Sequence, residues 1–350
     1  MIEDILPTEK NANSVVISGN TYFLETSDAY NSLQNYSKGS IVTLLLGKDG
    51  DVVDIIDSDE EENKDIGLLL SCTTKAITDK NNNTITKYAC NILLTNGNIS
   101  EYIVNKDYTK DINKIVKVIY DDEISLSILS TKSSLSGKIN SSKMKIGNYD
   151  IANDIQILEI PKISNKYVPI VEKIYLSRID GVTLSTSNIV YYSKNDNNQI
   201  DRLIITDVTN DMYQFGIVLE ENVLSDYTLQ TSYTLNINAN TITAMTENKQ
   251  YSVDKNDPVA VLMKNGTIKD INKLKQITGQ VKDIEVGKIT ISSQIYKLLS
   301  DVIVYKRVES GKYLTTNIQD VIDNQDTYNI KAYYDKTETN GGRIRVLVVI

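Results

Sequence analysis

Short runs of apolar and β-branched residues, broken by Gly, Asn and Asp, recur along the whole chain and predict strands rather than helices. The clearest are Ser14–Ser18, Ile41–Leu46, Lys117–Tyr120, Val259–Met263 and Ile344–Ile350. Asp49-Gly50, Asn96-Gly97, Asp180-Gly181 and Asn265-Gly266 stand as turn signals among them. Such pairs suit the positive φ angles of type I′ turns, whose twist matches the strands they join, so each predicts a hairpin. The polar loops Asp79–Asn83 and Asn195–Asn198 predict two more. Helical periodicity is scarce, and only Asp107–Lys114 and Thr316–Ile322 read as short helices.

The pattern also copies itself. Ser40–Asp57 returns about 148 residues later as Asn188–Asp207, and again as Asn329–Lys336 followed by Gly342–Val348. A second kind of block opens with Ile66-Gly67-Leu68-Leu69-Leu70 and returns as Phe215-Gly216-Ile217-Val218-Leu219. Every block carries a Tyr with an acid shortly downstream: Tyr22 with Asp28, Tyr102 with Asp107, Tyr149 with Asp154, Tyr251 with Asp257, and Tyr296 with Asp301. Self-similarity at a fixed period is the mark of an array. The expected fold is therefore all-β: five small OB- or SH3-like β-barrels in A-B-A-B-A order, produced by internal duplication. The expected modules are A1 (1–58), B1 (59–132), A2 (133–208), B2 (209–276) and A3 (277–350). Closing each sheet into a barrel would remove its exposed edges.

Within each module the Tyr is expected to pack across the barrel, while the Asp caps or turns the chain. The alternative is a row of exposed tyrosines that stack on sugars. Tyr175, Tyr191, Tyr192, Tyr333 and Tyr334 would then share one solvent face.

Length and charge narrow the function. The 350 residues exceed one ordinary core, and no apolar run is long enough to insert into a membrane. A net charge of −9, with no basic stripe, argues against nucleic acid as a partner. The acidic run Asp57–Glu62 reads as a solvated connector. Calcium is the one cofactor it suggests, with Asp57, Asp59 and Glu61 as candidate ligands. An EF-hand loop would need Gly and Glu where Glu62 and Leu68 stand.

The chain has no histidine, which removes the commonest general base, the commonest zinc ligand and the usual nucleophile-activating triads. No carboxylate pair stands out for glycosidase chemistry. The expectation is a protein that is not an enzyme, with no catalytic residues. Gly341-Gly342, ahead of Arg343, reads as a hairpin turn. Cys72 and Cys90 lie symmetrically about Asn81 on the arms of one predicted hairpin, so they form a candidate disulfide. In an exported protein that bond would add about 3 kcal/mol less any strain. Their counterparts in the second copy are Glu221 and Ala239, so the fold does not require the pair. Met1–Pro7 has neither the basic nor the apolar region of a signal peptide as it stands.

The run Asn329-Ile330-Lys331-Ala332-Tyr333-Tyr334-Asp335-Lys336, with Gly342–Val349 after it, resembles the closing segment of large cell-surface proteins of Gram-positive anaerobes. Those proteins carry S-layer homology (SLH) domains. Lys264–Ile268, Thr278–Val281, Gly287–Ile291 and Tyr296–Tyr305 are similar to the repeat modules that follow SLH domains there. The resemblance implies an extracellular, cell-wall-associated structural or S-layer protein, anchored by SLH domains that residues 1–350 do not display. Its expected partners are other copies of itself or cell-envelope components, engaged through module–module and subunit contacts. The alternatives are a carbohydrate- or ligand-binding surface module and a structural component of a phage or secretion apparatus.

Overall fold

Alternate side chains of a strand point to opposite faces, so a strand with every second residue apolar covers a core on one side. That rule builds most of this all-β chain. Among the described residues, two short α-helices and a few 310 turns interrupt the strands. The computed structural model describes every residue except 1, 18–19, 39, 41, 58–64, 79–82, 122, 130–133, 165, 196, 300 and 309–311. The chain divides into two units, 1–65 and 66–350.

The first unit starts as a meander of β1 (Asp4–Leu6), β2 (Ser14–Ile17) and β3 (Asn20–Phe23), across which Ile5, Val15 and Tyr22 are direct neighbours. Helix α1 (Ser27–Leu33) follows, where the sequence reading expected none. Thr26 caps it, its Oγ1 accepting from Ala29 N at 3.0 Å, and Ala29 and Leu33 form its buried face. A hairpin of β4 (Val42–Leu46) and β5 (Val52–Asp57) completes the unit. Ile5, Val15, Ala29, Leu33, Val52 and Ile55 make its core.

The second unit begins with β6 (Ile66–Thr78), β7 (Thr84–Leu94), β8 (Ile99–Val104), β9 (Ile115–Tyr120) and β10 (Ile124–Ile128), ordered β10-β9-β6-β7-β8 as a half-barrel. A second meander follows: β11 (Gly137–Asn140), β12 (Lys145–Ile146) and the start of β13 (Tyr149–Glu159), with Ile139, Ile146 and Tyr149 in register. The short strands β14 (Lys162–Ile163), β15 (Lys166–Tyr167), β16 (Glu172–Lys173) and β17 (Thr183–Leu184) lead to the hairpin of β18 (Ile189–Lys194) and β19 (Ile200–Ile205). Then β20 (Gln214–Ser225), β21 (Gln230–Ile237), β22 (Asn240–Thr246), β23 (Pro258–Lys264) and β24 (Thr267–Lys273) close a barrel in the order β20-β21-β22-β24-β23. The chain ends with β25 (Lys275–Gln276) and a third meander of β26 (Val281–Glu285), β27 (Lys288–Ile291) and β28 (Gln294–Lys297). After it come β29 (Ile303–Arg307), β30 (Tyr313–Thr316), α2 (Ile318–Asp323), β31 (Ile330–Tyr334) and β32 (Ile344–Val349).

Barrel closure is thus recorded once among the described residues, and once more as a half-barrel. The segments expected as A barrels are instead open sheets. β13 runs parallel to β19, and β29 parallel to β32, and among the described residues no pairing closes either sheet. Of the four turn signals, only Asn265-Gly266 has both residues at positive φ, as a type I′ turn requires. In Asp49-Gly50, Asn96-Gly97 and Asp180-Gly181 the Gly alone is there, and the last pair follows a 310 turn rather than joining a hairpin.

Among the described residues, six hydrophobic clusters occupy the second unit. Four lie inside the half-barrel, the barrel and the two meander-hairpin segments. The other two join neighbours. Ile66, Leu68, Leu93 and Ile115 of the half-barrel pack on Val190 and Ile204 of β18 and β19. Phe215, Ile217, Ala260 and Leu262 of the barrel pack on Tyr305, Tyr313, Val346 and Val348. The first strand of each barrel therefore has two duties, lining its own core and facing the next segment. At its tightest point it is a glycine. A Cβ on Gly67 would stand 2.0 Å from the Leu93 carbonyl oxygen, and one on Gly216 would stand 2.2 Å from that of Asn236.

Candidate functional site at the Asp211 arginine cluster

The densest charge constellation lies where the connector between β19 and β20 meets the end of the chain. Arg178 rises from the 310 turn Leu176–Ile179. It grips Asp211 with both arms of its fork, Nε to Oδ2 at 2.7 Å and Nη2 to Oδ1 at 2.9 Å. Arg343 and Arg345 reach the same Oδ1 from β32 and its approach, at 3.1 and 2.9 Å. Three guanidinium groups therefore share one carboxylate. Asp335 and Asp301 offset the excess positive charge, accepting from Arg345 Nε at 2.9 Å and Arg343 Nη2 at 2.7 Å.

The surroundings fix each member. Arg345 is buried, its guanidinium 4.5 Å from the centre of the Phe215 ring, and it donates to the Thr209 carbonyl. Arg178 donates to the Gly341 carbonyl at 3.1 Å. Gly341 has φ +88°, and a Cβ there would come within 2.5 Å of the Val208 carbonyl oxygen, so only glycine suits this contact. Beside the cluster, the buried Glu159 carboxylate accepts from Val208 N at 2.5 Å and Thr209 N at 2.8 Å, and also from Thr209 Oγ1. Lys336 donates to the Asp207 carbonyl at 2.7 Å.

Burial raises the Asp211 carboxyl pKa, but the hydrogen bond from Arg178 and the charges of Arg345, Arg178 and Arg343 outweigh it. The net pKa lies below the ordinary carboxylate value. Burial and the neighbouring Arg345 charge lower the Arg343 pKa. Burial lowers that of Lys336 as well. The arrangement binds connector, turn and closing hairpin together through charge-assisted hydrogen bonds.

A cleft of about 500 Å3 opens beside it, lined by Gln276, Gln294, Tyr296, Tyr334, Lys336 and Arg343. Its two cations are already engaged, Arg343 by Asp211 and Asp301 and Lys336 by the Asp207 carbonyl. Among the described residues no group of three or more His, Cys, Asp and Glu side chains is placed to hold a metal ion. Among the described residues no helix is long and apolar enough to cross a membrane.

The residues picked out by sequence are scattered. Tyr22, Tyr149 and Tyr296 end the three meander ladders and pack against the cores of their segments. Tyr102 and Tyr251 are buried in the half-barrel and barrel cores. Their acids differ. Asp28 is exposed in the first turn of α1, and Asp154 is exposed on β13. Asp107 accepts from Thr109 N at 2.8 Å, Asp257 pairs with Lys273 at 2.6 Å, and Asp301 joins the arginine cluster.

Tyr175 is exposed, whereas Tyr191, Tyr192, Tyr333 and Tyr334 pack against four different clusters and share no solvent face. Of the calcium candidates, Asp59 and Glu61 lie outside the described residues, as does the Asp57 side chain. Cys72 and Cys90 are cross-strand partners, both buried thiols here, with Cys90 Sγ donating to Cys72 Sγ at 2.9 Å. Burial, with that hydrogen bond, pushes the Cys90 thiol pKa up. Sequence reading did not find Asp211, Arg178 or Arg345. No protein-family model matches the chain, and no curated protein matches it.

Proposed function

We propose that this chain is a structural region of an extracellular, S-layer-type surface protein, built by internal duplication and acting through contacts between its segments and between copies, without catalysis. The observation that carries the reading is a ladder repeated three times. Ile5–Val15–Tyr22, Ile139–Ile146–Tyr149 and Ile284–Ile289–Tyr296 each cross a three-stranded meander in the same order, two buried aliphatics and then a Tyr.

The half-barrel and barrel support it. Their strands pair in matching order, and each first strand shifts register at one corresponding place, between Leu69 and Ser71 and between Val218 and Glu220. In each, an Asn at positive φ donates its N–H to that strand. Asn113 (φ 69°) donates to Leu69 O at 2.8 Å, and Asn256 (φ 74°) to Val218 O at 2.7 Å. Repetition of whole packing solutions favours a building element over a single reactive centre. The resemblance to SLH-bearing surface proteins supplies the location.

The test is antibody labelling of intact cells that produce the protein. Label on unpermeabilised cells is the expected outcome, and label that appears only after permeabilisation would overturn the assignment.

A further inference from the structure

The three closing hairpins, β4–β5, β18–β19 and β31–β32, share one irregularity. Each shifts register just before its last pair, Leu46↔Val52, Lys194↔Ile200 and Tyr334↔Ile344. Val53, Asp201 and Arg345 are left as the extra residues of three equivalent β-bulges. Counting from the bulge aligns the hairpins. The second residue on is Ile55, Leu203 or Leu347, and each is buried in the core of its own segment. The third, on the opposite face, is Ile56, Ile204 or Val348.

That opposite face is covered twice and open once. Ile204 is 0% exposed beneath Ile66, Leu68 and Leu93 of the half-barrel. Val348 is 4% exposed beneath Phe215, Ile217 and Ala260 of the barrel. Ile56 is 39% exposed, and on the same face of β4 Leu45 is 41% exposed. An apolar strand face left open where its two equivalents are closed marks an interaction surface.

We infer that the Leu45–Ile56 face of the first unit is a docking surface for a five-stranded β-barrel of the same type as residues 209–276, presented by another polypeptide segment. This inference rests on the duplication reading above. The partner would offer the first strand of its barrel, with apolar residues flanking a glycine as Phe215-Gly216-Ile217 do. Both internal examples of this interface pair a hairpin with a barrel, which argues against two hairpin faces meeting from two copies. The two barrels of this chain already spend that strand on the segments after them. The surface is also narrower than its equivalents. Among the described residues β5 has a single parallel bridge, Leu24–Val52, where β19 and β32 each pair with a full parallel strand.

Two measurements on the full chain test this. In thermal unfolding, Ile204→Asp and Val348→Asp should lower the midpoint, while Ile56→Asp should leave it unchanged. If Ile56→Asp destabilises as much as Val348→Asp, the face is already covered and the inference falls. If Ile204→Asp and Val348→Asp have no effect, the duplication reading itself fails. In the second measurement, a copy of residues 209–277 is added ahead of Ile2. Amide exchange across Leu44–Ile56 should slow by roughly tenfold or more, and Ile56→Asp should cancel the change. Unchanged exchange beside a folded added barrel would overturn the inference. So would failure of added copies of both 209–277 and 66–133 to fold there, since the same sequences fold beside the later hairpins.

Discussion

Asp211 is the residue on which the arginine cluster depends, because among the described residues it alone meets Arg178, Arg343 and Arg345. A buried ion network adds little net stability over a well-packed apolar one, but removing one member strands charges away from water. Asp211→Ala leaves three guanidinium groups facing each other, and should cost about 3–5 kcal/mol. Asp154→Ala, at an exposed site on β13, should cost nothing measurable. Chemical denaturation of the two variants checks this, and equal midpoints would show that the cluster is only ornamental. The cluster was not legible in the sequence, since Asp211 stands 33 to 134 positions from its three arginines and a count of charges says nothing of pairing. Tyr22, Tyr149 and Tyr296 were legible, because a Tyr alternating with apolar neighbours already specifies a half-buried strand face. Distance to a downstream acid was a poorer guide. Asn113 and Asn256 make alike hydrogen bonds five residues after the buried Tyr108 and Tyr251, whereas Tyr102 stands eleven residues ahead of Asn113.

At the scale of the element, the narrowest tolerance is the glycine in the first strand of each barrel. Gly216→Ala drives a Cβ against the Asn236 carbonyl, and backbone cannot move aside as a flexible side chain would. It should cost about 1–3 kcal/mol, as overpacking of a tight core does. Gly67→Ala should behave alike, while a residue added at Gly266 meets nothing and carries only the penalty of positive φ. Urea unfolding of the three variants ranks them, and a Gly216 variant no worse than the Gly266 one would remove the packing argument. Strand positions such as Val259–Met263 and Ile344–Ile350 were readable from apolar runs, and the observed strands are Pro258–Lys264 and Ile344–Val349. Partner choice was not. A run of apolar residues does not reveal which strand it pairs with or whether the sheet closes, so the β13–β19 and β29–β32 pairs and the open A sheets are not readable from it. Helix α1 was hidden for a related reason, its signal resting on one Thr cap and two buried residues rather than on a long periodic face.

For the whole molecule, the two units differ in what holds them together, and alkali separates them. Tyr213, Tyr233, Tyr251 and Tyr305 all belong to the second unit, and burial raises the pKa of each. Tyr233 and Tyr305 are pushed up to about 12. Tyr305 sits at the junction between barrel and closing hairpin, donating to Asn236 O at 2.8 Å and accepting from Asn238 N at 3.1 Å. An unfolded tyrosine ionises near pH 10. Above that pH the unfolded chain has lost protons that the native one retains, so stability is full below about pH 10 and falls as the pH rises. The second unit should therefore unfold on going from pH 10 toward 12, with part of the tyrosinate absorbance appearing only in that cooperative step. Following 295 nm absorbance and circular dichroism together checks this. If all 22 tyrosines titrated as one population near pH 10 while the sheets stayed intact, the junction tyrosines would have to be exposed to water, and the packing of barrel on hairpin would be lost as what holds the second unit together.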